Sequence, residues 1–102
     1  MGVGNYGQGV VQDYKEAFVW YRKAAEQGTS SAQFALGTMY EYGNGVITDN
    51  VYAHMWYNIA ASNNSEFSSK ARDELSKKLT AAEIAKAQEL ARECVKKLYK
   101  GC

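Results

Sequence analysis

The sequence predicts an all-α fold, an α/α superhelix built from stacked helical repeats and closed by C-terminal capping helices. Three observations carry this expectation. The 102 residues contain no proline while alanine, lysine and glutamate are plentiful, a composition that favours helix over turn-rich β structure. The chain resembles itself when shifted by 36 residues. Each repeating unit reads as two amphipathic helices around a glycine loop, and a unit of that kind buries its apolar face only by stacking on a neighbour.

At the 36-residue offset, Tyr6-Gly7-Gln8-Gly9-Val10 lies on Tyr42-Gly43-Asn44-Gly45-Val46, Asp13 on Asp49 and Ala17 on Ala53. Trp20-Tyr21 and Ala24-Ala25 then fall on Trp56-Tyr57 and Ala60-Ala61. Both tryptophans of the chain are among the matches, and chance does not align rare residues so consistently.

Within the complete unit, Ala32, Leu36 and Tyr40 recur every fourth residue from Ser30 to Tyr42 and form one helical stripe, widened by Ala35 and Met39. Gly43-Asn44-Gly45 ends this first helix, because glycine takes the left-handed conformation that a helix C-terminus commonly needs. Asp49 is placed to cap a second helix, over Asn50 to Asn63, whose broad face carries Ala53, Trp56, Tyr57, Ala60 and Ala61. The same loop and second helix occur earlier as Gly7 to Gln27, but no first helix precedes them, so the sequence reads as starting inside a repeat. Residues 1–28 are expected to be an incomplete repeat, 29–64 a complete one and 65–102 the capping helices, all in one domain.

Beyond Asn64 the pattern narrows. Phe67, Ala71, Leu75 and Leu79 stand at four-residue intervals among charges and predict a helix with a thin apolar stripe. Thr80-Ala81-Ala82-Glu83 is a capping-box sequence that starts a last helix running to about Tyr99. Ile84, Ala87, Ala91, Cys94, Val95 and Leu98 are expected on its buried side. Lys23 and Val19 of the first unit become Ile59 and Met55 in the second, which predicts apolar cover on the outer side of the Asn50–Asn63 helix.

Composition excludes several functions. A net charge of +1 lacks the clustered cations of a nucleic-acid groove. Residues 65–102 hold nine Lys/Arg against six Asp/Glu, but the signs are interleaved, as on a solvated helical surface. No apolar run reaches the roughly 18 residues of a membrane span, and the first residues do not form a secretion signal.

These units resemble the Sel-one-like repeat (SLR) family, relatives of the tetratricopeptide repeats. The resemblance rests on Ala32, Leu36-Gly37, Tyr40, Gly43-x-Gly45-Val46, Asp49, Ala53, Trp56-Tyr57 and Ala60-Ala61, with the second half repeated from Gly7 to Gly28. It covers residues 5–64, and the tail from Arg72 to Arg92 is similar to the terminal helices of bacterial members. Ala81 stands where such tails often carry a proline, and Asn63-Asn64 where a repeat normally closes with glutamine and glycine. The resemblance implies a TPR-like α solenoid that serves as a scaffold or adaptor binding an unidentified protein or peptide, often in bacteria and at the envelope. The alternative is a structural C-terminal cap of a longer solenoid with no binding activity of its own.

No enzymatic constellation is visible, and no cofactor or metal is expected. The single histidine, His54, has no nucleophile and carboxylate beside it in sequence and reads as a surface residue. Gly7-x-Gly9 and Gly43-x-Gly45 lack the Gly-Lys-Ser/Thr of a phosphate loop. Asp13 and Asp49 read as helix caps rather than metal ligands. Cys94 and Cys102 lack zinc-site spacing and are either free thiols or a disulfide closed by a reversal at Gly101. The tails that this one resembles frequently pair such cysteines, so the resemblance implies the bridge. A bridge places the chain in an oxidising compartment, periplasmic or secreted, and free thiols place it in the cytoplasm.

Three further expectations concern surfaces. Trp20 and Trp56 should both pack at inter-helix seams. Phe34, Thr38 and Glu41, opposite the buried stripe of their helix, either line the partner groove or place Phe34 against the second helix of the preceding unit. The face of Phe18, Tyr21, Ala24 and Ala25, left without its first helix, should pair with another copy of the chain in a homodimer that also involves Tyr6 and Tyr14.

Overall fold

A computed structural model describes residues 13–102; Tyr6, Gly7, Gly9 and Val10 of the first glycine loop lie outside the described residues. Five helices follow in order: α1 (Tyr14–Glu26), α2 (Ser30–Tyr42), α3 (Asn50–Ser62), α4 (Glu66–Ser76) and α5 (Ala81–Lys96), with no strand among the described residues. Each neighbour packs on the next from α1 to α4, while α5 turns back and packs on α3. The third helix is therefore the hub, covered by α2, α4 and α5, and its residues from Ala53 to Tyr57 are all buried.

Local chemistry sets the helix ends. Asp13 accepts from the Glu16 amide, and Asp49 accepts from those of Val51 and Tyr52 at 3.1 and 3.0 Å, satisfying donors that have no intrahelical partner. Thr80 and Glu83 complete the reciprocal capping box. Gly43, at φ 69°, closes α2, and Gly45 has φ 81°. A side chain at Gly45 would meet the Tyr14 carbonyl, so this loop sits directly on the start of α1.

The 36-residue register continues further than the aromatic motif. Asn64 has φ 71° where Gly28 has φ 89°, and asparagine is the non-glycine residue that tolerates this conformation best. The departure from a closing glycine thus leaves the backbone turn intact. Likewise α4 begins 36 residues after α2, with Ser65 as N-cap where Thr29 stands, and with buried Ser68 and Leu75 in the places of Ala32 and Met39. Geometrically α4 is another first helix of the repeat. The six-residue glycine loop is then replaced by Lys77–Leu79, and α5 starts too soon to follow the repeat path.

Two apolar clusters result. One surrounds Trp56 with Ala25, Leu36, Met55, Ile59, Ala91 and Cys94, and the other surrounds Tyr57 with Ala53 and Leu75, flanked by Phe34, Ala71 and Leu79. Ile59 and Met55 are covered as the comparison of the two units implies.

Several expectations are corrected. Trp20 is 62% exposed whereas Trp56 is 1% exposed, because α1 has a packed neighbour on one side and α3 on several. Lys23 Nζ stands 4.8 Å from the Trp20 ring instead. Phe67 points to solvent, and Ser68 takes the buried place beside it. Val95 is exposed at the seam of α5 with α3, and Leu98 is exposed because α5 stops at Lys96; positive φ at Leu98, Tyr99 and Gly101 then reverses the chain. That reversal carries Tyr99 back to Asn63, whose amide donates to the Tyr99 oxygen at 3.2 Å and to Gln33 Oε1 at 2.9 Å. Gln33, fully buried, donates to the Ala25 carbonyl. Four elements are stitched through this chain of polar groups, and Cys94 and Cys102 are joined as a disulfide with their Cα atoms 5.7 Å apart.

His54 is also corrected: it is buried, not a surface residue, because α4 crosses its side of α3. Ser76 Oγ donates to the Arg72 carbonyl, which leaves its lone pair to accept from His54 Nε2 at 2.9 Å. Burial holds the His54 pKa below its ordinary value, and the nearby Arg72 charge lowers it further against a smaller opposing effect of Asp73.

Candidate protein-interaction surface

The residues expected to face a partner prove to be built around Tyr57. Gly37 lets the tyrosine ring lie flat on α2: a Cβ there would stand 2.5 Å from the ring. The buried Tyr57 hydroxyl donates its hydrogen to Glu41 at 2.6 Å, with Thr38 Oγ1 at 3.4 Å, and Thr38 itself donates to the Phe34 carbonyl. Burial, followed by the bond to Glu41, pushes the Tyr57 pKa well above its ordinary value. Phe34 packs on Tyr57 with ring centroids 5.6 Å apart. The reading that sets Phe34 against the second helix of the preceding unit is corrected, since its aromatic partner lies on the second helix of its own repeat. Glu41 and Thr38 serve the same seam.

Phe34 is nonetheless only half buried, and its outer edge helps to line a groove of about 350 Å³ with Ser30, Ser31, Asn64, Ser65, Glu66 and Phe67. The starts of α2 and α4 form its two walls. Phe67, 78% exposed, has no structural task comparable to that of Leu75. Sequence reasoning missed Phe67 and the Asn64–Glu66 turn because the four-residue spacing suggested an inward stripe. The usable signal was the 36-residue register, which aligns Ser68 rather than Phe67 with buried Ala32.

Leu36 is buried; Tyr40 is half buried between Phe18 and Tyr52, with ring centroids 5.7 and 5.4 Å away. Tyr21 is 43% exposed on α1. Among the described residues no group of three or more His, Cys, Asp or Glu could hold a metal ion, and no helix is long and apolar enough to cross a membrane.

Helix pairs stacked at a fixed sequence period, with the first helix of the complete unit closed by Gly43, define an α solenoid of the TPR-like class. The Sel1 repeat model matches residues 2–29 and 30–65, and the chain belongs to the Sel1 repeat family, whose repeats are protein-interaction modules. Among solved structures it is similar to c5321, a protective antigen present in uropathogenic Escherichia coli strains and displaying an SLR fold. The identity is 39% and the TM-score 0.81, over 91% of this chain and 21% of that one. The chain thus spans about a fifth of the length of that relative. No match is found among curated proteins.

Proposed function

We propose that the chain is a scaffold or adaptor module that binds a protein segment in the groove between the starts of α2 and α4. The observation that carries this reading is Phe67, exposed beside the half-buried Phe34 at the rim of a formed groove. An exposed aromatic next to a second aromatic supplies the kind of anchor on which interfaces concentrate their energy. Glu41 and Thr38 support the groove indirectly by holding Tyr57 against α2. Affinity capture tests it with the intact chain, Phe67→Ala and Phe34→Ala compared. Loss of the same captured protein with Phe67→Ala, while the helical spectrum is unchanged, supports the groove; undiminished capture by both variants rejects it.

Of the face expected to be left open, Ala25 is buried and Phe18 and Ala24 pack against the core, so a second reading rests on Tyr21 together with Val19 and Trp20, which α1 exposes. In it the chain is the C-terminal cap of a longer solenoid, and this face receives a preceding repeat or, in isolation, a second copy. Light scattering over a range of concentrations tests the homodimer: a monomeric mass up to high micromolar concentration rejects it. The Cys94–Cys102 bridge supports a periplasmic or secreted location.

A further inference from the structure

The seam between α3 and α5 opens into a second groove of about 360 Å³, which shares no lining residue with the groove of Phe34 and Phe67. Its floor is apolar, made by Ile59, Ala91 and Val95, and its rim is polar, made by Asn58, Ser62, Arg92 and Lys96. Three features separate it from an ordinary gap between helices. Val95 remains 44% exposed although the period of α5 would place it inward, so apolar surface is left in water at this point. No acidic residue lines the groove, while two cations do. Two of the neighbouring acids are already engaged, Glu93 with Lys96 at 3.7 Å and Asp73 with Arg72 at 3.1 Å, while Glu89, three residues before Arg92 on α5, lies outside the lining. Arg72 in turn donates to Asn58 Oδ1 at 2.8 Å, which fixes the rim on the α3 side. Lys96 also lies in the last turn of its helix, where a cation serves the helix dipole. Arg92 makes no ion pair with another described residue, so its guanidinium is the cation at this rim left open to a carboxylate.

We propose that this groove docks a segment of a partner protein that carries aliphatic side chains next to carboxylates. The aliphatic groups cover Ile59, Ala91 and Val95, and a carboxylate meets the guanidinium of Arg92, whose planar donors suit bidentate pairing. The groove is open to solvent along one side. A free small amphiphile would leave much of its chain in water there, whereas a protein segment brings its own cover. Complementary charge at the rim sets orientation and speeds encounter, and the apolar floor supplies the affinity. This surface is separate from the groove of Phe34 and Phe67, so the chain would hold two segments at once.

The test uses the intact, oxidised chain and a soluble synthetic peptide in which Leu-Glu pairs are spaced by glycine and serine. Amide and methyl chemical shifts are followed during titration. Expected are perturbations centred on Ile59, Ala91 and Val95, and a loss of affinity of about tenfold or more with Arg92→Glu, a change of the size seen when like charges replace a complementary pair. Val95→Ser weakens binding as well, and Phe67→Ala leaves it unchanged, which separates this surface from the first groove. Replacing glutamate by lysine in the peptide abolishes the perturbations. The proposal is overturned if no shift occurs up to about 1 mM peptide, a range that still detects interactions near 4 kcal/mol. It is equally overturned if Arg92→Glu binds as well as the parent chain, or if laurate but not the peptide perturbs the same residues.

Discussion

Trp20 and Trp56 occupy the same place in successive repeats, and replacing each by alanine measures what stacking adds to one helix. Trp56 is 1% exposed and sits among Leu36, Met55, Ile59, Ala91 and Cys94 from three helices. Truncating such a buried ring loses its transfer energy and leaves a cavity, a loss of about 3–5 kcal/mol. Trp20 is 62% exposed, so roughly two fifths of its surface is covered and no closed cavity forms. Its truncation should cost about 1 kcal/mol or less, partly offset by alanine's better helix propensity. Urea unfolding followed by helical circular dichroism reads the difference. With a slope of about 1.5 kcal/mol per molar, Trp56→Ala lowers the midpoint by about 2–3 M and Trp20→Ala by well under 1 M. If Trp56→Ala shows no cooperative transition, Trp56→Phe supplies the smaller loss on the same ranking. Equal midpoints for the two alanine variants would refute the argument that stacking, not the repeat motif, determines each tryptophan's contribution.

Three other perturbations test separate parts of the structure. Gly37→Ala should destabilise by about 1–2 kcal/mol in the same assay, because overpacking against Tyr57 outweighs the gain in helix propensity, and a raised midpoint would contradict it. His54 has a folded pKa below its unfolded value of 6.5, so the unfolded chain binds the extra proton as pH falls. Its contribution is fully present above pH 6.5 and declines from there towards the folded pKa, with protonation also charging an Nδ1 that has no protein partner; His54→Gln should flatten the stability profile over that window. Replacing Cys94 and Cys102 by serine should cost about 2–3 kcal/mol for a loop of eight residues in the chain-entropy model and release the Tyr99–Asn63 contact, seen as altered amide shifts at Asn63 and Gln33. Unchanged stability and shifts would remove the assigned role of the bridge.

Much of the fold was legible because its determinants are local or repeat. Helix periodicity, the caps at Asp13, Asp49 and Thr80, the left-handed glycines and the 36-residue offset each constrain backbone over a few residues, and copying them makes the signal stand out. The candidate surface was less legible. Phe34, Thr38 and Glu41 were rightly grouped on one face of α2, but which face is covered depends on where Tyr57 arrives, and that contact spans more than a dozen residues. The four-residue spacing that points Phe67 inward fits two adjacent faces of a short helix equally well.

What the sequence by itself determined is the repeating unit: where its helices begin and end, and which small and large residues can meet across them. Only the tertiary structure decided which copies of that unit are covered. Trp20 and Trp56 have the same motif yet opposite exposures, and His54 is buried by a helix that begins twelve residues later. The return of α5 onto α3, with Tyr99 folded back to Asn63, belongs to the same category. Burial is a property of the assembled stack: non-directional apolar contact rewards whichever face is nearest, and the local pattern does not state which neighbour will be there.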